Sequence, residues 1–506
     1  MEFVVSLFAF VVSCFILLKV AKNSKNPKRN TNLELPPGPK QLPIIGNLHQ
    51  LGGGLAHHVL RNLGKQYGPL MHLKIGELST IVVSSTEIAK EVFKTHDIHF
   101  SNRPSHILVF KIVSYDYKDI VLSQYGKYWR ELRKVCNLEL LSPNRVQSFR
   151  SIREDAVLNM MKSISSNDGK VVNLSEMILS LIYGITARAA FGVWSKKHEE
   201  FIRLESEIQR LATTFVLADM FPSIKFLGAL SGLRYKVEKV HKKVDDILEG
   251  ILKEHRRQNN NMTEENGKKD LVDVLLNIQK NGDMETPFTD QHIKAIIFDM
   301  FSAGTLTSTI AVDWAMAEMM KNPSVLKRAQ DEVRNVYNGI GNVDESKLDE
   351  LKYLQAVIKE TLRIHPGTPI VHRETREECE INGYRIPAKA RVMVNAWAIS
   401  RDPNYWPEPD IFKPERFLGS EVDFKGTHFE YIPFGAGRRI CPGISYAIAN
   451  VQLPLAQLLY HFEWKLPGGM KPEELDMTEI LGTAAQRKEN LLLIPNSHSC
   501  SSLKQV

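Results

Sequence analysis

The ten residues 434–443, FGAGRRICPG, constrain this chain more than any other stretch. They place Cys441 behind glycines and two arginines, and an apolar segment that reads as a helix follows directly. Pro442 and Gly443 fit the first turn of that helix. The positive end of a helix beside cations favours the thiolate form of cysteine, and glycines let the backbone turn tightly and approach a flat ligand. The stretch therefore predicts a cysteine sulfur presented to a flat ligand that carries an acidic group.

The spacing of Phe434, Gly437, Arg439, Cys441 and Gly443 resembles the haem-binding loop of the cytochromes P450. The resemblance implies a haem b cofactor, iron protoporphyrin IX, with the Cys441 sulfur as the axial ligand of the iron. It also implies that Phe434 covers one face of the haem and that Arg439 contacts it. A buried free cysteine beside a basic turn is the alternative interpretation of the same residues.

Composition excludes several other classes of protein. Of the 506 residues 43% are hydrophobic and 24% are charged, which is typical of a globular protein. The net charge of +7 comes from basic residues spread along the chain, so no nucleic-acid partner is predicted. Five widely spaced cysteines without a C-x-x-C pair indicate a reducing compartment.

The N-terminus predicts a membrane anchor helix over residues 1–21. Residues 3–18 are almost wholly apolar and are followed by Lys19, Lys22 and further basic residues. Positive charge after the span places the rest of the chain in the cytosol. The competing interpretation is a cleaved secretory signal, which prefers its basic residues before the apolar run. The resemblance implies a single-pass protein of the endoplasmic reticulum membrane with its catalytic domain on the cytosolic side.

Residues 22–43 then form a basic and proline-rich linker that contains the stiff segment LPPGP, and residues 44–506 form the haem-binding monooxygenase domain. Within that domain we expect a hairpin over residues 70–83, mostly helical structure from 145 to 285, a long helix over 290–321 and a strand over 391–395. The resemblance implies a mainly α fold with a small β portion (α+β), the cytochrome P450 fold with an N-terminal transmembrane helix.

The middle of the predicted long helix carries small and hydroxyl-bearing residues, AGTLTS at 303–308. Small residues leave room for a ligand beside the backbone, and the helix can distort there. The resemblance implies that Thr307, together with Gly304 and Ser308, serves proton delivery to bound oxygen. The family's acidic residue is replaced by Leu306, which predicts a weaker proton relay or a reaction that depends on it less.

Further site residues follow from the resemblance. Trp129 and Arg133 lie four apart on one helix face, a spacing that more often marks an amphipathic surface pair. The resemblance implies instead that haem propionates are bound by Arg103, Trp129, Arg133 and Arg373. It also implies that Glu360, Arg363 and Arg416 form a buried structural network behind the haem loop rather than a catalytic group.

Substrate-binding residues are implied at Ala303, Thr368, Ile370 and Thr483, for which ordinary core packing is an equal alternative. The implied function is NADPH- and O2-dependent oxidation of a small lipophilic plant metabolite by hydroxylation, epoxidation or oxidative cyclisation. The chain most resembles plant microsomal members that oxidise monoterpene indole alkaloids, with terpenoid hydroxylation as the alternative. A haem or ligand-binding protein without turnover and a reductase-independent haem isomerase are the rivals from other classes.

Electrons must reach the haem from a separate protein. The sequence has no G-x-G-x-x-G that opens a βαβ unit, so no dinucleotide-binding domain is predicted in the chain. The resemblance implies an NADPH-cytochrome reductase as the partner and admits cytochrome b5 as a second electron donor.

Overall fold

The computed structural model describes residues 33–192, 196–212, 217–224, 227, 232–261, 270–480, 482 and 484–498. The predicted membrane anchor at residues 1–21, the first part of the predicted linker and the predicted substrate-binding residue Thr483 lie outside the described residues.

Helices make up most of the described chain. They are α1 (Ala56–Tyr67), α2 (Thr86–Lys90), α3 (Leu108–Val113), α4 (Lys127–Val135), α5 (Pro143–Ser148), α6 (Arg150–Ser165), α7 (Leu174–Phe191), α8 (Lys196–Ala212), α9 (Leu217–Met220), α10 (Leu233–Asn261), α11 (Leu271–Asn281), α12 (Asp290–Lys321), α13 (Pro323–Val336), α14 (Lys352–Ile364), α15 (Ala396–Ile399) and α16 (Ile444–His461). Helix α12 confirms the long helix predicted from the sequence.

Capping residues at the N-terminus and a proline after the C-terminus set the two ends of helix α12. Thr289 and His292 form a capping box at its first turn, which satisfies N–H groups that have no partner within the helix. Asn322 ends the helix because Pro323 disfavours helical geometry in the residue before it. At 1.5 Å per residue the helix is about 48 Å long, so it crosses the whole fold and carries the 303–308 segment to its centre.

The strands form three small sheets. The four-stranded sheet has the order β1 (Leu70–Ile75), β2 (Leu78–Val83), β7 (Arg391–Asn395) and β4 (Ile370–Glu374), with β2 parallel to β7 and the other pairs antiparallel. The three-stranded sheet has the order β3 (Val172–Asn173), β9 (Leu492–Ser497) and β8 (Phe462–Lys465), and β5 (Cys379–Ile381) pairs with β6 (Tyr384–Ile386). The predicted hairpin over 70–83 and the strand at 391–395 are confirmed, and the fold is mainly α with a small β portion.

Helices α7 and α12 are core helices of this fold. Both are long and apolar enough to cross a membrane, yet 61% of the apolar window of each is buried inside the fold. Trp314 of α12 and Ile182 of α7 are both fully buried in the largest apolar cluster, together with Leu455 of α16. Their hydrophobicity is therefore explained by packing against one another.

The proline-rich segment of the predicted linker is hydrogen-bonded to the folded domain. The carbonyl oxygens of Glu34 and Pro37 accept hydrogen bonds from the N–H groups of Arg385 and His72 (2.8 and 2.9 Å). A Cβ on Gly38 would lie 2.1 Å from the His72 carbonyl oxygen, so only glycine allows this contact. Prolines lack an N–H but keep their carbonyl, and they can therefore cover the edge strand β1 without continuing the sheet.

Candidate functional site

The loop around Cys441 is held by hydrogen bonds and by a glycine contact. A 3-10 turn over Gly437–Arg439 precedes the cysteine, whose N–H donates to the Phe434 carbonyl oxygen (3.0 Å). The Gly443 N–H points at the Cys441 Sγ (3.3 Å). Gly437 has a φ of +70°, and a Cβ there would lie 2.5 Å from the Phe93 carbonyl oxygen. This glycine therefore lets the loop approach its own chain rather than the ligand.

Burial controls the Cys441 thiol more than its charged surroundings do. Burial raises the pKa of Cys441, and the smaller opposing effects of the Gly443 N–H and the Arg133 guanidinium do not overcome it. The helix N-terminus and the nearby cation favour the thiolate form, but their effect on the pKa is smaller than that of burial. A coordinated metal ion deprotonates a thiol outright, and the Cys441 sulfur has the environment of a metal ligand that is neutral without its metal.

Four arginines from different parts of the chain gather beside this loop, of which Arg373 and Arg439 are buried and the other two half-buried. They are Arg103, Arg133 of α4, Arg373 of β4 and Arg439. Arg439 donates to the carbonyl oxygens of Ser101 and Ser123 (2.7 and 2.6 Å), and Arg373 donates to that of His372 (3.0 Å). Among the described residues, the Nη1 of Arg439 and the Nη2 of Arg373 are buried without a hydrogen-bond partner.

This cluster carries more positive charge than its protein neighbours balance. Burial and mutual repulsion lower the pKa of Arg103 to about 10 and that of Arg439 to about 9. Asp97 and Asp119 are the carboxyl groups that act on these arginines, and Asp97 is also paired with Arg438 (3.1 Å). Buried cations need a partner. Unpaired guanidinium nitrogens beside a half-buried cysteine fit a haem, whose two propionates would supply the missing negative charge.

The pair Trp129 and Arg133 lies inside the protein, not on its surface. Trp129 is 3% exposed and its indole N–H donates to the Ile120 carbonyl oxygen (3.1 Å). The Arg439 guanidinium lies 4.4 Å from the centre of the Trp129 ring, and Arg133 donates to the Ile440 carbonyl oxygen. Because the indole N–H is bonded to the Ile120 carbonyl oxygen, Trp129 supports the arginine cluster by packing on Arg439.

Two buried acids beside the cluster have no sequence signal and were missed. The Asp299 Oδ2 accepts the N–H groups of Ile120 and Val121 (3.0 and 3.2 Å), and the Asp119 Oδ1 accepts that of Leu122 (3.1 Å). Burial and the Asp119 charge raise the pKa of Asp299 well above its ordinary value, and burial raises that of Asp119 to about 7. Isolated aspartates far apart in sequence give no pattern; only the fold brings them together.

We expect Asp119→Asn to reduce the pH dependence of stability. A carboxyl group whose pKa is higher in the folded state stabilises the protein most below its unfolded pKa, and that stabilisation is lost as pH rises. For Asp119 the loss falls between its ordinary pKa of 3.8 and about 7. Thermal unfolding midpoints measured across this range should fall less steeply with pH for Asp119→Asn than for the wild type. Equal slopes of midpoint against pH in Asp119→Asn and the wild type would contradict a raised pKa of Asp119. The control is Asp423→Asn, which replaces a partly buried acid in a loop and should leave the slope unchanged.

The predicted catalytic segment of α12 divides into two faces. Ala303 is exposed, and Thr307 is half-buried with its hydroxyl donating to the Ala303 carbonyl oxygen (2.7 Å). Gly304 faces elsewhere, because a Cβ on it would lie 3.3 Å from the Tyr446 Cε1. Ser308 is 1% exposed and donates to the Gly304 carbonyl oxygen (3.0 Å). Thr307 is thus half-buried on the same side of α12 as the exposed Ala303, whereas Gly304 packs toward α16 and Ser308 is buried in the core.

The segment after α14 lies against Thr307. A Cβ on Gly367 would lie 3.7 Å from the Thr307 Cβ, so the two backbones approach closely. Of the predicted substrate-binding residues, Thr368 is exposed and Ile370 is 8% exposed at the start of β4. The shape of the pocket on this side depends on how the 366–370 segment is held.

The predicted Glu360, Arg363 and Arg416 network is present. Arg363 donates from Nε and Nη2 to the two Glu360 carboxylate oxygens (2.8 and 2.9 Å), and both side chains have no exposed area. Arg416 donates to the Glu360 Oε1 (2.9 Å), and Arg363 also donates to the carbonyl oxygens of Ser400 and Pro409 (2.7 Å each). The network therefore joins α14 to the loop that precedes the cysteine.

These elements define a haem-thiolate protein, in which a half-buried cysteine lies beside a cluster of arginines with unpaired nitrogens. The chain belongs to the cytochrome P450 family, whose model, described as Cytochrome P450, matches residues 36–493. It is an oxidoreductase of the monooxygenase type with haem as its cofactor, and the family implies a redox partner and a small lipophilic substrate.

Among curated proteins, the chain is 88% identical to tabersonine 6,7-epoxidase isoform 2 of Catharanthus roseus, with 100% of both chains covered. It is 59% identical to tabersonine 16-hydroxylase 2 of Catharanthus roseus (99% of this chain, 98% of the relative) and 51% identical to premnaspirodiene oxygenase of Hyoscyamus muticus (98% of each). Among solved structures, a zebra fish cytochrome P450 with progesterone has a TM-score of 0.76 at 24% identity, covering 88% of this chain and 100% of that one.

Proposed function

We propose that this chain epoxidises a monoterpene indole alkaloid of the tabersonine type, using O2 and electrons derived from NADPH. The observation that carries the proposal is the 88% identity over the full length to a tabersonine 6,7-epoxidase. The terpenoid alternative rests on relatives near 51% identity and is less well supported.

The residues divide the work as follows. Cys441 would supply the sulfur that binds the haem iron, and Arg103, Arg133, Arg373 and Arg439 would balance the propionates. Haem, when bound, supplies the activation of dioxygen. Thr307 carries the hydroxyl that would serve proton delivery, and Trp129 keeps Arg439 in place by packing on it. The apolar surface at Ala303 and Ile370 suits a lipophilic substrate because it excludes water from the reacting atoms.

We further propose NADPH-cytochrome reductase as the electron donor, with cytochrome b5 as a second one, docking on the basic face near Cys441. The predicted anchor at residues 1–21 would hold the protein in the endoplasmic reticulum membrane with the domain from residue 34 onward in the cytosol. The basic residues that follow the apolar run support this orientation.

The test is conversion of tabersonine by microsomes that contain the full chain and a plant reductase. We expect a product that has gained one oxygen, formed only when NADPH is present, and identified as the epoxide by mass and nuclear magnetic resonance spectra. Premnaspirodiene is the comparison substrate and should be oxidised far less. Absence of an oxygenated alkaloid despite a correct haem spectrum would reject the substrate, and conversion without NADPH would indicate an isomerase.

Replacement of Leu306 tests how protons reach the oxygen. Leu306 is half-buried against the main apolar cluster, so the relay has no carboxyl group at this position. We expect Leu306→Glu to raise the ratio of product formed to NADPH consumed severalfold, because a positioned acid assists proton transfer. Leu306→Gln is the control, because glutamine has the size of glutamate but no acidic proton. It should leave the ratio of product to NADPH unchanged. An unchanged ratio in Leu306→Glu would remove the idea.

A further inference from the structure

A buried acid–base cluster lies beside the pocket but outside the haem site. We call it the His365 cluster: Glu318 of α12, His365 after α14, Glu479 before β9 and His57 of α1. The His365 Nε2 lies 2.7 Å from the Glu318 Oε1, and its Nδ1 lies 3.9 Å from the Glu479 Oε1. The His57 Nε2 lies 3.1 Å from the Glu479 Oε2. All four side chains are at most 8% exposed. Residues from four separate segments of the chain therefore meet in one buried cluster.

Glu479 is ionised within this cluster. Burial alone would raise its pKa, but the imidazoles of His365 and His57 outweigh burial and bring the pKa down to about 2. A buried carboxylate is costly unless it is paired, and removal of one partner from such a pair costs more than the pair contributes. The orientation of the chain around Glu479 is therefore tied to the two histidines.

The cluster is connected to Thr307 through a short chain of contacts. The His365 ring stacks on Trp314 with 3.7 Å between ring centres and 3° between planes. The Trp314 Nε1 donates to the Ala485 carbonyl oxygen (2.6 Å), and the Ala485 N–H donates to the Gly367 carbonyl oxygen (3.4 Å). Gly367 in turn packs on Thr307.

The turn that carries Ala485 is held at both ends. Backbone hydrogen bonds from Ile480 to Gln486 and from Lys488 to Thr478 (2.9 Å each) close a short hairpin. Glu479, on the first arm of this hairpin, contacts His365. Ala485, on the second arm, is hydrogen-bonded to Trp314 and Gly367. Within the 366–370 segment Gly367 is the conformationally permissive residue, and the hydrogen bond from the Ala485 N–H is a contact that holds its carbonyl in place.

We propose that the His365 cluster, acting through Trp314 and Ala485, sets how closely the Gly367 backbone packs on Thr307 and thereby determines which atom of the substrate is oxidised. These are positioning residues, since none of them needs to touch the substrate. The proposal rests on the proposed function only in taking Thr307 to face the reacting oxygen.

The test uses two substitutions that leave the shape of the cluster intact. Glu479→Gln removes the charge but keeps the size, and Trp314→Phe removes the N–H to Ala485 while retaining a ring for His365 to stack on. With tabersonine, we expect both to lower kcat by about tenfold, within the range caused by a misplacement of about 1 Å, with a smaller change in KM. Both should also shift the ratio of oxygenated products in the same direction, with the haem–carbon monoxide spectrum unchanged.

Glu345→Gln is the matched control. Glu345 is 7% exposed and forms a bidentate pair with Arg153 of α6 (2.6 and 2.8 Å), so the same substitution breaks a comparable buried pair outside the pocket. It should lower the thermal unfolding midpoint without moving the product ratio. A product ratio in Glu479→Gln and Trp314→Phe equal to that of the wild type would overturn the proposal, and so would an equal shift in Glu345→Gln.

Two further measurements apply if Glu479→Gln does not fold or if the wild type does not convert tabersonine. If Glu479→Gln does not fold, Trp314→Phe and His365→Gln are compared by the same product ratio. If the wild type does not convert tabersonine, the proposed function fails by itself; the rate of NADPH consumption without substrate then reports on the Thr307 side of the pocket. We expect the rate of NADPH consumption to change in Glu479→Gln and in Trp314→Phe but not in Glu345→Gln. Wild-type rates in the first two variants would overturn the proposal.

Discussion

Cys441→Ala is expected to abolish the activity and the thiolate-type absorption band of the reduced, carbon monoxide-bound protein. Of the three described cysteines, Cys441 is the one that lies in the loop of Arg438 and Arg439. Cys136 also lies near Arg133 but is fully buried among apolar side chains, and Cys379 lies in β5. Without the sulfur the iron loses its axial ligand. We expect product formation from tabersonine to fall below detection.

Cys379→Ala provides the control for this substitution. Cys379 is half-buried and pairs through its backbone with Ile386, so its removal should leave haem content, spectrum and turnover unchanged. A retained thiolate-type band in Cys441→Ala would show that another group binds the iron, and the assignment of the whole site would then fall.

Arg363→Ala is expected to have the largest effect on stability. Arg363 and Glu360 have no exposed area and share two hydrogen bonds, so the substitution leaves a buried carboxylate with only Arg416 as a cationic partner. Breaking such a pair costs about 3–5 kcal/mol, which is a large share of the stability of an ordinary domain. We expect little spectrally intact protein to accumulate, measured as carbon monoxide-binding haem per milligram.

Two further variants separate charge from geometry in this network. Arg363→Lys keeps the charge but cannot form the two-pronged contact, so its loss should be intermediate. Arg234→Ala removes an exposed i,i+4 partner of Glu238 in α10 and should leave haem content unchanged, because exposed pairs contribute little. Wild-type haem content in Arg363→Ala would contradict a structural role for the network.

Local patterns in the sequence predicted local structure well. The hairpin at 70–83, the strand at 391–395 and the helix from Asp290 to Lys321 depend on alternation, capping and proline, which act between neighbours in the chain. The i, i+3 spacing of Glu360 and Arg363 likewise placed both on one helix face. The segment from Glu34 to Lys40 was predicted as a linker because its composition says nothing about the edge strand that it covers.

The environment of each site residue was less predictable. Gly304 was expected to leave room for a ligand, but in the structure the space beside it is occupied by the Tyr446 ring. The two residues are 142 positions apart in the sequence, so no local pattern shows this contact. Asp119 and Asp299 were not singled out, because a carboxyl group is unusual only once burial has raised its pKa. The His365 cluster draws its members from four elements and has no sequence pattern at all.

The sequence by itself determined the cysteine that is suited to bind iron, the central helix that carries Thr307 and the absence of an acid at position 306. These depend on residue identity and short-range spacing. Only the tertiary structure decided that four arginines converge beside Cys441, two of them with unpaired nitrogens, that burial keeps the thiol pKa high, and that His365 is tied through Trp314 to Gly367. Such properties arise from long-range packing, which brings distant side chains together and removes them from water.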